Sequence, residues 1–583
     1  MSQLFSKIKV GNTSRSTFDL HHNHVTSSDF GYIIPIFHKD MVPNDDFVVT
    51  PDIFARLAPL GFPTFTPSPV KIRIHHFFVP YRILYPDWDA FITQDESSET
   101  LPPYFATSDV AHYLDLDPAV KTIQAPGFPR GYYSRLLSNF GIDPRIARGQ
   151  DFVSARPRIS AFPFLAYYRI WMDYFMDTNL YSHPTYVAEF NDILRYGGQL
   201  PAAWVAEFLR TRNCCYKKDY FTSAKVNPQK GAASRVGVDI AEGDLNPGLK
   251  KLSSGLSNVI GNSDGQVFFQ SNNSVPGKNS KIGQFTIEAL RAAASAQRYS
   301  ERSNYVGSKL INQLLAHFGV QPKAERIDMS EFLGGFSVPV TIGDVTSHAT
   351  ASDSQLLTSF GLGLQAGKAF ASTDPKNPQS VRYHATEHGM FMTLMSILPD
   401  TGYYQGISRF WFKGVNGDPL DFYTPEFENL GFQPILNSEI YMPRDASEEQ
   451  YQSYSADGVF GYQPMYSEYK FSMDTLAGDF VANDTNGAVG SPLDAFHLFR
   501  KLAYDDTNPL ALNANFVELD NHNNNYDRIF QVTDNELDHY YFSCRVDCKA
   551  TRPMVGFAEP SLDSTMNQGD GNVINLPYGG TRL

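Results

Sequence analysis

The segment VKIRIHHFFVP, residues 70 to 80, places Val70, Ile72, Ile74, His76 and Phe78 on one face and Lys71, Arg73 and His75 on the other, the period of two that a half-buried strand requires. HYYFSCRVDCKATRP, residues 539 to 553, alternates in the same way, with Phe542, Cys544, Val546 and Cys548 on one face and Arg545, Asp547 and Lys549 on the polar one. GMFMTLMSILP, residues 389 to 399, is apolar at almost every position, which predicts a strand covered on both faces and ended by Pro399. A helical period appears in PFLAYYRIWMDYFM, residues 163 to 176, where Leu165, Tyr168, Trp171 or Met172, and Phe175 form one stripe behind a first-turn proline. Two further helices are predicted: one from Thr286, with a capping residue, an early Glu288 and an alanine run, and one carrying Leu310, Leu314 and Phe318 on a stripe that Gly319 stops. The pattern is that of a β-rich chain with a few helices in its connections.

Residues 231 to 283 break the pattern: Gly, Ser, Asn and Asp dominate, with Lys250, Lys251, Phe268 and Phe269 scattered among them. A disordered linker has this composition, but the flanks DYFTSAKVNPQKG and FTIEALRAA look ordered, so a protruding surface loop is the expectation. A chain of 583 residues is long enough for two to four ordinary domains, although all-β architectures with large loops can absorb it as one, and 42 % hydrophobic with 14 % aromatic residues supplies a large core. Charged residues are only 19 %, which implies surface buried against partners or covered by polar uncharged loops and points towards an assembly. A net charge of -14 argues against a free-standing nucleic-acid binder but not against a container in which other cations neutralise the phosphates. The N-terminus has no apolar signal region and no run of 18 apolar residues occurs, so the expectation is a protein made in the cytoplasm, with no membrane insertion.

Candidate chemistry is sparse. His384, Glu387 and His388 spell H-x-x-E-H, the signature of one class of zinc peptidase, but that motif needs a helix to bring both imidazoles to one ion. On a strand the two histidines would lie about 13 Å apart. A zinc hydrolase using these residues is therefore the alternative reading, not the preferred one. HHNH, His21 to His24, reads as part of a polar arm rather than a metal site, and Cys214, Cys215, Cys544 and Cys548 read as reduced, mostly buried thiols. GLGLQAG, residues 361 to 367, lacks the strand and helix of a phosphate loop, and no nucleophile elbow stands out; no cofactor is implied.

Several blocks together resemble the major capsid protein of the Microviridae, small single-stranded-DNA phages, and most of all the gokushovirus branch. They are RSTFDLHHNHVTSSDFGYIIPI, FARLAPL, HHFFVPYRILYPDWDAF, FPFLAYYRIWMDYFMDTNL, DYFTSAKVNPQKG, TEHG, YYQGISRFW, DFYTPEFENLGFQPILNSEIY, FGYQPMYSEYK and ATRPMVGF, in the family's order. The resemblance implies a mainly β chain built on a single eight-stranded antiparallel jelly roll with long insertions and a few α-helices, one capsid domain over 1 to 583 assembled from discontinuous segments, and an N-terminal arm over 1 to 30. It implies a T=1 icosahedral shell of this chain around circular single-stranded DNA, with the loop from Gly231 to Gly283 as a threefold protrusion for host attachment. The partners it implies are further copies of the chain, a small basic DNA-binding protein, a pilot protein, an internal scaffolding protein and a host receptor. Such a protein would reside in the virion after assembly in the bacterial cytoplasm, and TEHG would flank the start of a strand rather than hold zinc.

Within that reading, Tyr403, Tyr404, Phe410, Trp411 and Phe412 are either subunit contacts, because aromatic side chains dominate buried contact energy, or ordinary core. Lys7, Lys9, Arg15, Arg145, Arg148, Arg156 and Arg158 are either DNA-facing cations or solvated surface. A secreted jelly-roll adhesin would need a signal segment that the N-terminus does not show.

Overall fold

The computed structural model describes residues 15–57, 70–93, 101–106, 132–142, 158–231 apart from 196, 287–347 apart from 321, 322 and 324–327, 365–372, 379–443 apart from 416–418 and 429, 454–502 apart from 482–492, 494 and 495, 510–519, 526–530 and 538–554. The chain divides into two compact units, one formed by Met1–Val226 with Pro322–Leu583 and the other by Asn227–Gln321.

The first unit is built on antiparallel strands: β1 (Ser16–Asp19), β2 (His22–Ser28), β3 (Ile33–Met41), β4 (Asp46–Leu57), β5 (Val70–Pro80), β6 (Tyr104–Phe105), β7 (Ile159–Ser160), β8 (Glu331–Ser347), β9 (Gln365–Ser372), β10 (Val381–His384), β11 (Gly389–Pro399), β12 (Phe432–Leu436), β13 (Val459–Pro464) and β14 (Tyr540–Arg552). Strands run β1-β14-β4-β9-β8-β5-β11-β3 along one hydrogen-bonded path, and β10 on β4 and β2 on β14 bring the network to ten. Strand β8 serves both halves of the path. Its first part pairs with β5, from Val70 opposite Val340 to Phe78 opposite Glu331. Its second part pairs with β9, from Thr341 opposite Phe370 to Ser347 opposite Gln365. A register shift interrupts the β5 ladder between His76 and Phe77, where Gly334 sits opposite His76 with φ +126°, a conformation a side chain would strain. A mainly antiparallel β chain with helices in its connections is the architecture of a jelly-roll viral capsid protein.

The predicted strands fall where the periodicity put them. In β5 and β14 the apolar face is buried and Lys71, Arg73, Arg545 and Lys549 stay at least partly in water. All 11 residues of β11 are buried, between β3 on one side and β5 on the other. Within the N-terminal stretch, β1 and β2 pair in succession along β14, from Ser16 opposite Arg552 to Ser28 opposite Tyr540.

Helix α1 (Phe162–Ile170) and the wide π turn after it, Trp171–Phe175, correct the one-sided stripe. Every residue from Phe164 to Asp173 is buried, whereas Phe175, assigned to the stripe, is only half-buried. The helix is covered on both sides: Tyr167 donates from its hydroxyl to the Ile33 carbonyl at 2.9 Å, and Tyr168 packs against the rings of Phe190 and Phe208. The buried turn carries Asp173, which accepts from Arg169 Nε at 3.1 Å, from His183 Nε2 at 3.1 Å, and from the Ser330 backbone N–H at 2.9 Å and hydroxyl at 2.7 Å. Burial pushes this carboxyl up, but Arg169, His183 and Ser330 outweigh it and leave its pKa at about 2. One ionised carboxylate thus joins α1, the helix His183–Leu194 and the residue that enters β8.

In the second unit, α2 (Ile287–Val306) and α3 (Leu310–Phe318) are joined by polar contacts: His317 Nε2 lies 3.1 Å from the Ser303 hydroxyl, and Gln313 Nε2 donates to the carbonyls of Ser303 and Gly307. Gly319, at φ +69°, ends α3 as expected. The stripe does not become core: Leu310 and Phe318 are 59 % and 76 % exposed. Of the expected loop over 231 to 283, only Gly231 belongs to the described residues.

Burial lowers the pKa of His38, His75 and His76 to about 4 each, with Lys39, Arg73 and His75 respectively adding to the effect. Between pH 6.5 and 4 the unfolded chain therefore binds protons that the folded chain refuses, so stability is full above the ordinary histidine pKa and declines below it. The expected result is a falling unfolding temperature from pH 6.5 to pH 4, with His76→Gln flattening the slope by roughly 1–3 kcal/mol over that interval. An unchanged slope in this variant would contradict it.

Candidate interaction surfaces

The H-x-x-E-H residues turn to three different partners. His384 ends β10 opposite Asp46, with Nδ1 3.1 Å from an Asp46 carboxylate oxygen. Glu387 accepts from Arg82 Nε at 2.8 Å, and the His388 ring packs edge-on against Trp88 at 5.7 Å. The segment bends from one strand into another instead of forming a helix, so the geometry lends the zinc hydrolase no support. His22 stacks on Phe37 at 5.5 Å, and His24 Nε2 lies 3.0 Å from Asn139 Oδ1. The four cysteines are free, and burial raises the thiol pKa of Cys214, Cys544 and Cys548 to about 12 and that of Cys215 further. Among the described residues no group of three His, Cys, Asp or Glu side chains could hold a metal ion.

Two of the candidate DNA-facing cations can be placed. Arg15 is an internal tie: its guanidinium donates to Asp46 at 2.7 Å and to the Asn44 carbonyl at 2.8 Å, fixing the chain where β1 begins. Arg158 lies 4.6 Å over the Tyr104 ring. Lys7, Lys9, Arg145, Arg148 and Arg156 lie outside the described residues, as do Lys250, Lys251, Phe268, Phe269 and Gly283 of the candidate protrusion.

The aromatic candidates divide. Tyr403 is an internal residue: its hydroxyl donates to Asp219 at 2.9 Å and accepts from Arg500 at 3.2 Å. Arg500 is itself buried, 4.2 Å from the rings of both Tyr216 and Phe516, and donates to the Phe516 carbonyl. Tyr404 is half-buried, edge-on to His497, and Phe412 is half-buried. Phe410 and Trp411, by contrast, are 67 % and 71 % exposed.

Their exposure is held in place by charge. Arg409 donates to the Pro434 carbonyl at 2.7 Å and to Glu439 at 3.0 Å, and Glu439 also accepts from the Tyr220 hydroxyl and the Leu436 N–H. On the other side, Lys413 pairs with Glu468 at 3.0 Å and sits 3.4 Å over the Tyr469 ring. Between these two anchors the turn Arg409–Phe412 presents its rings to solvent. The same surface exposes Val415, Phe422, Tyr423, Leu430 and Tyr469, which the sequence reading missed. They lie in irregular backbone, where no period of two or 3.6 marks a face.

The block DYFTSAK folds as a tight turn around Asp219. One oxygen of this carboxylate accepts from the N–H groups of Phe221 at 3.0 Å and Thr222 at 2.7 Å and from the Thr222 hydroxyl at 2.9 Å. Lys218 pairs with Asp177, and Lys225 reaches Asn179 at 2.6 Å, so this block and the MDTNL that follows the π turn are bound to one another. Two stretches distant in sequence thus specify one local structure.

The family model described as Capsid protein (F protein) matches residues 6–562. The chain belongs to this phage capsid protein family. Capsid protein VP1 of Chlamydia phage 1 is 26 % identical, over 96 % of this chain and 98 % of the relative. Capsid protein VP1 of Bdellovibrio phage phiMH2K is 25 % identical over 96 % and 97 % of the two chains, and that of Spiroplasma virus 4 is 25 % identical over 81 % and 84 %. The capsid protein is thus a component of the virion with a structural rather than enzymatic role, and the resemblance carried by its sequence blocks holds over nearly the whole chain. No helix among its described residues is long and apolar enough to cross a membrane.

In this capsid protein Glu387 forms a half-buried pair with Arg82, which Asp328 also engages. Glu387→Gln is expected to change unfolding free energy by less than about 1 kcal/mol. Purified wild-type protein should carry no stoichiometric zinc; one zinc per chain that disappears in the variant would contradict this assignment.

Proposed function

We propose that this capsid protein is the major shell subunit of a T=1 icosahedral particle that encloses circular single-stranded DNA and presents loops to a bacterial surface. The observation that carries the reading is the rigidly anchored, solvent-facing pair Phe410 and Trp411 beside further exposed apolar side chains. Monomeric proteins seldom leave such a patch uncovered, and aromatic side chains on a preorganised turn are the usual anchors of an interface. Contacts between copies cover it. The net charge of -14 supports a separate cationic partner for the DNA, a small basic DNA-binding protein, alongside a pilot protein and an internal scaffolding protein. The loop of residues 231 to 283, with its Gly- and Asn-rich composition, suits the threefold protrusion that meets a host receptor.

The test is the double variant Phe410→Ala with Trp411→Ala, produced as the full chain beside the wild type and inspected by sedimentation and electron microscopy. Because both side chains are exposed, the fold should keep its unfolding temperature, whereas the yield of closed particles should drop at least about tenfold, the effect of losing two interface anchors. Particles at wild-type yield would contradict the assignment of this surface.

A further inference from the structure

Closed rings of three or five identical subunits cannot be made from one self-complementary patch; each copy must offer two different surfaces, one fitting the other on its neighbour. Given the shell-subunit reading, the exposed aromatic surface therefore needs a counterpart elsewhere on the chain, and its own chemistry limits what that counterpart can be. Its rim is acidic. Glu426 and Glu428 are both exposed, and they hold the Tyr423 hydroxyl above its ordinary pKa, Glu428 more than Glu426. Of its basic groups, Arg409 is used by Glu439 and Lys413 by Glu468, while Lys470, next to Tyr469, is exposed. A surface of aromatic rings edged by exposed carboxylates, of which Glu428 accepts, among the described residues, only from the Tyr423 hydroxyl at 3.3 Å, fits a partner that is apolar and cationic.

Helix α2 has that character. Arg291, Arg298 and Arg302 are exposed and make no ion pair or hydrogen bond with any described residue. At 3.6 residues per turn they fall within an arc of about 40°, spread along about 16 Å of helix. Ile287 and Tyr305, 70 % and 65 % exposed, lie on the same side within about a further 40°. The helix packs its other side on α3 through Ser303 and through Tyr299 stacked on His317, so this face is not used inside the helix pair. Ala294 and Ser295, between Arg291 and Arg298, are small, which lets a partner surface approach the helix closely.

We infer that α2 of one copy docks through Arg291, Arg298 and Arg302 onto the acidic aromatic surface around Glu426, Glu428, Phe410 and Trp411 of a neighbouring copy. The contact is heterologous, which is the type that closes a ring. The guanidiniums meet the carboxylates, and Ile287 and Tyr305, which bracket the arginines along the helix, cover aromatic rings on either side of them. The charge pairs steer the encounter and select the register, and the apolar contacts add affinity.

The test is a charge swap in the full-length chain, with particle yield read by sedimentation and electron microscopy, packaged DNA measured in the particles, and folding of the soluble chain checked by thermal unfolding. Arg298→Glu with Arg302→Glu is expected to lower particle yield at least tenfold without altering the unfolding temperature. Adding Glu426→Arg and Glu428→Arg to that variant is expected to restore particles. The milder pair Arg298→Gln with Arg302→Gln should lower yield by a smaller factor and remove part of the salt dependence of assembly. Wild-type yield from the reversed helix would overturn the contact. So would a loss that the carboxylate reversal does not repair in a folded chain, or normal shells lacking DNA, which would make the helix a nucleic-acid contact instead. Failure of the wild-type chain to form particles when co-expressed with its proposed scaffolding and DNA-binding partners would sink the shell-subunit reading first, and the contact with it.

Discussion

Strand β11 constrains everything around it. Eleven consecutive residues without solvent access can exist only if each backbone group is paired and both faces are covered. The ladders to β3 and β5 meet the first condition, and the two cores meet the second. Phe391 joins Phe47, Val49, Val546 and Cys548, while Met392 and Leu394 join the larger core that contains α1. Thr393, the polar residue in the middle, shares a hydrogen bond with His76 of β5 at 2.9 Å. Covering this strand requires α1, the paired strands β14 and β4, and the long strand β8 that links the two halves of the path.

Charge in this protein mostly joins segments. Asp173 gathers two helices and the start of β8; Arg15 and His384 meet on Asp46; Arg135 is bound by both oxygens of Asp538; and Arg500 sits among aromatic rings. Breaking the pairs of Asp173 with Arg169 or of Arg135 with Asp538, which are buried or nearly so, leaves an uncompensated charge at a cost of about 3–5 kcal/mol, so these residues tolerate little change. Motifs that look catalytic in one dimension, H-x-x-E-H above all, dissolve into this joining role once each side chain finds its own partner.

What was legible in the sequence follows from periodicity. β5, β11 and β14 could be read because their apolar positions repeat every two residues or run without interruption, and Gly319 marked the end of α3. The stripe on α1 was only half the truth, since a helix buried all round shows no contrast between faces. Residues such as Asp173, with Ser330 far along the chain, and Arg500 were invisible because their partners are set by topology. The exposed surface at Phe410 and Trp411 was found only as a dense run of aromatics; Phe422, Leu430 and Tyr469 lie in backbone with no period to expose them. In the block DYFTSAK, by contrast, local side-chain-to-backbone bonds at Asp219 tie residue identity to position.

The central claim is that a rigid β scaffold, fixed before assembly, presents surfaces whose only change on assembly is to be covered. Amide hydrogen exchange compared between the unassembled chain and purified particles tests it most directly. The account predicts that the amides of β11 are strongly protected in both states and that residues 409–415 and 419–428 become protected only in particles. Slowing of exchange in β11 on assembly, or unchanged exchange at 409–428, would contradict it.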